Sequence, residues 1–242
     1  MRVAIVSDIH ANLEALEAVL ADIKREGPEA IVCLGDFVGY GASPNECIEA
    51  LRDKLDVAVA GNHDMAAIGK LRLGGFNSEA ASAARWTGTA LTPENLAYLA
   101  DLPYTVHWHG ARLVHASPAR PEAWSYVLSP ADAEEEMQAF DETVCFIGHS
   151  HYPGVFGRDD RGNMRYTRAP EVRLQRGHRY LVNVPSVGQP RDGDARAGYL
   201  LYDPAALSLK HVRLDYDVAS AMKRIVEAGL PRFLADRLQW GE

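Results

Sequence analysis

The sequence predicts an α/β protein, a sheet core covered by helices, and three observations carry that expectation. Short runs of Val, Ile, Leu and Ala alternate with longer stretches whose apolar residues recur at helical period. Three of the helical stretches open on a hydroxyl residue followed by proline, a helix-start signal. The second half instead reads as strands joined by turns, so antiparallel pairing is expected there. With 242 residues and 47% hydrophobic content the chain can bury a sizeable core. No linker, low-complexity tract or solenoid-spaced repeat divides it, so residues 1–242 are expected to form a single domain.

The elements follow in order. "RVAIVSD" reads as the first strand. Asn12 then caps a helix with Leu13, Leu16, Val19, Leu20 and Ile23 on its apolar face, stopped by Gly27 and Pro28. "AIVCLGD" is a second strand, and Ser43-Pro44, Thr92-Pro93 and Ser129-Pro130 start three further helices. Ser43 and Glu46 have the spacing of a capping box. "VAVAGNHD" supplies a third buried strand, "TVHWHGARLVHASP" a hairpin turning near His109-Gly110, and "TVCFIGHSH" another buried strand. A hairpin around Asp160 to Asn163 follows, then "YLVNVPSVGQP" and a pair of strands in "GYLLYDPAALSLKHVRLDY". Two short amphipathic helices, about 218–228 and 232–240, close the chain with their apolar faces directed at the sheet.

Charge and cysteine usage narrow the partners. Lys plus Arg number 25 and Asp plus Glu 33, a net charge of −8, so the surface as a whole repels polyanions and long nucleic acids are disfavoured. No apolar run approaches a membrane span and no signal-type segment develops at the N-terminus, so no membrane partner and a cytoplasmic location are expected. Cys33, Cys47 and Cys145 lack zinc-type spacing and read as buried free thiols.

The polar residues fall in a pattern of their own. "VSDIH" ends at Asp8 and His10, "CLGD" at Asp36, "AGNHD" at Asn62 and His63, "RLVHASP" offers His115, and "IGHSH" ends at His149 and His151. Each apolar run terminates in a group able to bind a metal. In open α/β sheets the carboxyl ends of strands line the functional crevice, so these groups should converge. A single Asp or His at a strand end is usually a cap or a hydrogen-bonded structural group, but five such sites together are not explained that way. Carboxylates and imidazoles crowded at a dry strand end are costly to bury without compensation, and cations remove that cost. Imidazole, carboxylate and amide oxygen suit Mn, Fe, Zn, Co or Ni. There are too many ligands for one ion, so a carboxylate bridging two ions about 3.5–4 Å apart is the natural arrangement.

Taken in order, "DIH", "GDFVGYG", "GNHD", "VHASP" and "GHSH" resemble the calcineurin-like metallophosphoesterase superfamily, and the longer segments "DIHANLEALEAVL", "GDFVGYGASPNE" and "SVGQPRDGD" are similar to its small bacterial and archaeal phosphoesterases. The resemblance implies a four-layer α/β/β/α sandwich of two mixed sheets flanked by helices. It also implies that Asp8, His10 and His151 hold a first divalent ion, Asn62, His115 and His149 a second, and that Asp36 bridges them. Manganese is placed first among Mn, Fe, Ni, Co, Zn and Mg. His63 is left free of metal to stand beside the leaving oxygen, with Asp64 as the neighbour expected to orient and charge it. Asn62 also faces the substrate, and Arg191 in "GQPRDGD" is the candidate phosphate clamp because its fork can bind two oxygens. Three departures stand out. Gly39-Tyr40 replaces the Asp-Arg of the protein Ser/Thr phosphatases, Ala11 replaces a common glycine, and Val184-Pro185 replaces a common Pro-Gly.

The expected function is therefore a phosphodiesterase or phosphatase in which water activated between two ions attacks phosphorus in line, the substrate being a small phosphorylated molecule or a nucleotide. A nuclease acting on short nucleic acid and a non-catalytic metal-stabilised scaffold are the alternatives, the second disfavoured by the intact His63. Gly69 to Asn77 and "SPARPEAWSYV" are expected to set substrate identity, and the apolar second segment leaves a homo-oligomer contact open. His107, His109, His178 and His211 are read as structural or exposed, Glu134 to Glu136 as a solvated helix face, and Arg158 to Arg168 as an exposed hairpin.

Overall fold

Alternation along the first strand sets the layering. In β1 (Val3–Val6) the side chains of Ala4 and Val6 join one apolar cluster while Val3 and Ile5 join another, the period of two that a strand buried on both faces must have. In the computed structural model, which describes residues 1–242, this strand sits inside a six-stranded sheet. Its order is β3 (Val57–Ala58), β2 (Ala30–Cys33), β1, β11 (Ala197–Asp203), β12 (Ser208–Leu214) and β9 (Glu171–Arg173). A second six-stranded sheet has the order β4 (Thr105–Trp108), β5 (Ala111–Val114), β6 (Val144–Ile147), β10 (Arg179–Asn183), β7 (Gly154–Arg158) and β8 (Met164–Thr167). Both are mixed. β1, β2 and β3 run parallel, as do β5, β6 and β10, while the remaining pairs are antiparallel.

The sheets pack on each other through Val3, Ile5 and Val32 from one and Leu113, Phe146 and Val182 from the other. The outer face of the first sheet carries α1 (Leu13–Glu26), α2 (Pro44–Leu51) and α5 (Pro93–Ala100), through Leu16, Val19, Ile48 and Leu99. The outer face of the second carries α6 (Pro130–Glu136), where Ala133 meets Cys145, Ile147 and Leu181. Helix, sheet, sheet and helix make the four layers expected from the resemblance. Each fully buried Leu, Ile or Phe in them contributes about 1.5–3 kcal/mol. All three cysteines are buried and free, and no helix is long and apolar enough to cross a membrane.

Local chemistry explains the element ends. Asn12 caps α1 by accepting from Ala15 N–H at 3.2 Å, and Gly27 closes it in the left-handed region at φ 61°. The capping box expected from Ser43 and Glu46 does not form, because the Ser43 N–H that Glu46 would accept is donated to Ala11 O at 3.0 Å. Ser129 and Asp132 make that reciprocal pair instead, at 3.2 and 2.9 Å. Three elements lie outside the sequence expectation: β9; α3 (Asn62–Ala67), which takes over the last residues of the expected third strand; and α4 (Ser78–Ala90), whose buried side is mostly alanine and carries no strong apolar stripe. α3 is short, α7 (Val218–Glu227) forms where expected, and the last helix is α8 (Arg232–Asp236) continued by a tighter 3-10 turn.

Candidate metal centre

Three parallel strands in each sheet point their carboxyl ends the same way, and the turns after them supply the polar groups. Asp8 follows β1, Asp36 follows β2, Asn62 and His63 open α3 after β3, His115 follows β5, and His149 and His151 follow β6. All are buried. Asp8, His10, Asp36, His149 and His151 have φ between 52° and 64°. That region costs a non-glycine residue about 1–2 kcal/mol, and it persists where the surroundings over-determine the backbone. Here Asp8 N–H donates to Gly35 O and His10 N–H to Asp36 O, both at 3.0 Å, while Asp8 O accepts from Gly188 N–H at 2.9 Å. The close packing also demands glycine: a Cβ on Gly61 would stand 2.0 Å from Asp36 Oδ1, and one on Gly148 would stand 2.0 Å from Ser7 Oγ.

Backbone carbonyls fix the imidazole tautomers, since a carbonyl can only accept. Leu34 O takes the Nδ1 hydrogen of His115 at 2.7 Å, Val38 O that of His10 at 3.1 Å, and Gln189 O that of His151. Each of those rings therefore presents a bare Nε2 inward. His149 is reversed, giving its Nε2 hydrogen to Trp124 O at 2.9 Å and keeping Nδ1 free. The consequences are visible as unmet valence. Nε2 of His10 and Nε2 of His151 face each other at 3.1 Å, and the buried His115 Nε2 and Asn62 Oδ1 have no hydrogen-bond partner. Three overlapping groups have ligand atoms close enough for one ion: Asp8, His10 and His151; His10, Asp36 and His63; and Asp36, His115 and His149. Orphaned donors of this type, in this number, fit divalent cations.

The carboxylates respond to the same crowding. Burial opposes the charge on Asp36, but His115, His63 and His10 outweigh it and hold the group well below the usual carboxylate range. Burial also opposes the charge on Asp8, and His151 and His115 bring it down as well. Burial pulls His115 down, yet Asp36 and Asp8 push it up to about 9. Burial, with the charge of His115 adding to it, drives His149 down to about 3.

His63 lies at the rim of this cluster, its ring 4.9 Å from that of His10, with Nδ1 unpartnered. Burial, aided by the charge of Arg191, takes it down to about 4, so the protonated resting form expected from the sequence is corrected to a neutral one. Asp64 does not play the part expected of it. Its carboxylate accepts from the N–H groups of Asp36 at 2.9 Å, Gly61 at 3.0 Å and Val38 at 3.2 Å, and no hydrogen bond joins it to His63. Burial and the charge of Asp36 raise it to about 8. It is a brace between the turn after β2 and the start of α3. Arg191 reaches the rim from the loop after β10, held by Gln189 Oε1 at 3.0 Å and Tyr40 Oη at 3.1 Å.

Comparison with known proteins decides the class. The family model of the calcineurin-like phosphoesterase superfamily domain matches residues 1–206. The chain belongs to that superfamily. A metallophosphoesterase from Sphaerobacter thermophilus is 41% identical, with a TM-score of 0.88 over 100% of this chain and 99% of that one. The uncharacterised protein MJ0912 of Methanocaldococcus jannaschii is 41% identical over 99% of this chain and 98% of its own. The hypothetical protein PH1004 of Pyrococcus horikoshii OT3 shares the fold at a TM-score of 0.80 and 22% identity, covering 100% and 98% of the two chains. The membership makes this chain a phosphoric ester hydrolase of a metal-binding family.

Within that phosphoesterase frame two of the three departures can be placed. Ala11 has φ 52°, a conformation glycine adopts without strain. Tyr40, at the Gly39-Tyr40 departure, packs its ring at 52° against that of His63, centroids 4.4 Å apart, while its hydroxyl accepts from Arg191. Several contributors were not singled out by sequence. Gln189 supports both His151 and Arg191. Trp124, at φ 55°, aims its carbonyl at His149, and Tyr126 stacks on the same ring at 4.2 Å. Only the aromatic content of "SPARPEAWSYV" hinted at the last two.

Proposed function

We propose that this phosphoesterase uses two divalent ions, manganese first among the candidates, to hydrolyse phosphate mono- or diesters of small molecules or nucleotides in the cytoplasm. The observation that carries the reading is the position of Asp36 Oδ2, 3.6 Å from His10 Nε2 and 3.3 Å from His115 Nε2, between two sets of inward-facing donors. Asp8, His10 and His151 would hold one ion, Asn62, His115 and His149 the other, and Asp36 both. Bound there, the ions supply positive charge for the phosphoryl oxygens and lower the pKa of water to a value useful at neutral pH. The remaining work falls to the chain. The carbonyls of Leu34, Val38, Gln189 and Trp124 keep the imidazoles in the tautomers that coordinate. His63, neutral at rest, takes a proton from solvent when the negative charge of a bound ester offsets the field of Arg191 and gives it to the leaving oxygen as the ester bond lengthens. Arg191, pre-oriented by Gln189 and Tyr40, clamps a non-bridging oxygen.

The test is turnover of bis-(p-nitrophenyl) phosphate, p-nitrophenyl phosphate and a nucleotide panel by protein loaded in turn with Mn, Fe, Ni, Co, Zn and Mg. Hydrolysis that rises with ion content up to two per chain supports the reading. Inertness with every ion and every ester favours a scaffold instead.

A further inference from the structure

A cleft of about 300 Å³ opens directly against the candidate metal centre, with Asn62, His63 and His149 in its inner wall. Its sides are rings. Tyr40, His63 and Phe76 form one run, with centroid separations of 4.4 and 5.0 Å, and Tyr126 stacks on His149 at 4.2 Å and 16° on the other side, next to Trp124. The cleft contains no carboxylate, although the chain as a whole carries a net charge of −8. The polar groups at its mouth are uncommitted donors. Arg72 makes no ion pair or hydrogen bond, and Asn77 spends its side-chain oxygen on Ala80 N–H at 2.8 Å, which leaves its amide hydrogens free. An aromatic slot of this size with donors at its edge matches a flat ring system bearing acceptor atoms.

We propose that this cleft is the leaving-group subsite and that it takes a nucleobase, so that the preferred esters are those whose leaving alcohol is a nucleoside. The proposal rests on the phosphoesterase reading above for its direction: the slot begins at His63, the residue placed beside the leaving oxygen. Phe76 and Tyr126 grip the faces of the base, and Asn77 with Arg72 donates to its ring nitrogens or carbonyl oxygens. The two gripping rings, Phe76 and Tyr126, come from the loops between α3 and α4 and after β5, so the contacts to the base are made by segments that hold none of the candidate metal ligands other than His115, at the start of the second loop.

The decisive comparison is AMP and UMP against ribose 5-phosphate, which presents the same leaving alkoxide without a base. With manganese-loaded protein, kcat/KM for at least one nucleotide is expected to exceed that for ribose 5-phosphate tenfold or more, and the ratio is expected to collapse toward one in Phe76→Ala and in the more exposed Tyr126→Ala. Calorimetric binding of the same compounds to the manganese-loaded protein is expected to show the same tenfold preference. Phenyl phosphate, with a ring but no acceptor edge, is expected to bind more weakly than the better nucleotide. Hydrolysis of all three classes at equal kcat/KM overturns the subsite and leaves the phosphoesterase reading intact. Inertness toward every ester defeats that reading instead, and binding then judges the cleft alone: equal affinity for nucleotide and ribose 5-phosphate, or for nucleotide and phenyl phosphate, overturns the assignment.

Discussion

Oδ2 of Asp36 stands 3.3 Å from Nε2 of His115, and in the neutral ring, whose one hydrogen Leu34 O holds on Nδ1, that nitrogen is a second acceptor. Two acceptors held this close in a buried site need a cation or a proton between them. In the metal-free state the proton is present, which is why His115 is pushed up to about 9 against the pull of burial. Asp36→Asn removes one negative charge while keeping an oxygen for His63 N–H, now accepted by Oδ1 at 2.8 Å. The variant is expected to fold, to lose metal affinity by more than about 100-fold, and to lose turnover in proportion. Elemental analysis after dialysis checks this, and two retained ions per chain would contradict the shared-ligand role.

His63→Ala separates binding from chemistry. The ring is packed between Tyr40 and Phe76, and no assigned ion set needs it. Both ions are expected to stay, while turnover falls about 10²–10⁴-fold, the scale of a positioned proton donor. The loss should be largest for esters with poor leaving groups and shrink for p-nitrophenyl esters, whose leaving oxygen needs no proton. A uniform loss across leaving groups would assign His63 to positioning instead.

The cluster of candidate ligands is legible because it depends on two local properties, residue type and position at the end of an apolar run. Strands of one sheet deliver their ends to one edge, so Asp8 and Asp36 meet without any knowledge of the loops. The direction in which Asp64 points is hidden in the sequence for an equally physical reason. Adjacent residues on a helix point about 100° apart, and in α3 that turns Asp64 toward the backbone while His63 faces the rim. Gln189 was silent because it supports His151 through its carbonyl, a group every residue carries. The aromatic cleft was only half visible: two distant loops build it, and neither has a period from which a shared surface could be read.

Chelation is expected to destabilise the fold as well as stop turnover. Removing the ions leaves Asp8, Asp36 and four imidazoles, all buried, to neutralise one another. An ion present at 100 times its dissociation constant contributes about 2.7 kcal/mol. In a domain of this size each kcal/mol moves the melting midpoint by roughly 2–4 °C. EDTA-treated protein should therefore melt well below the manganese-loaded form, and the gap should grow with free manganese. Coincident melting curves would show that no ion binds the folded state preferentially.

Arg191 is held by Gln189 and Tyr40 before any ligand arrives, so its fork is pre-oriented. A charge-assisted hydrogen bond to phosphate is worth about 1.5–3 kcal/mol. Arg191→Ala is expected to raise KM about 10–100-fold for phosphate esters. Arg191→Lys keeps the charge but loses the fork, and should recover only part of that affinity. Full recovery by lysine would reduce the residue to a point charge, and an unchanged KM in the alanine variant would remove it from the site.

Gly148 offers a test of the first ion set that leaves every ligand in place. A methyl group there would meet Ser7 Oγ at 2.0 Å and Asp8 Oδ2 at 2.5 Å, distances that force the Asp8 carboxylate to move. The next residue shares the strain, because His149 N–H donates to both oxygens of Asp8, at 3.2 and 3.1 Å. Gly148→Ala is expected to cost about 1–3 kcal/mol of stability through overpacking and to drop the metal content below two ions per chain. Gly74→Ala, where an added methyl meets nothing within 4 Å, serves as the control and should keep parental metal content and melting temperature. Full loading of Gly148→Ala with two ions would show that the Asp8 carboxylate is not confined as the packing around it requires, and would weaken its assignment to the first ion.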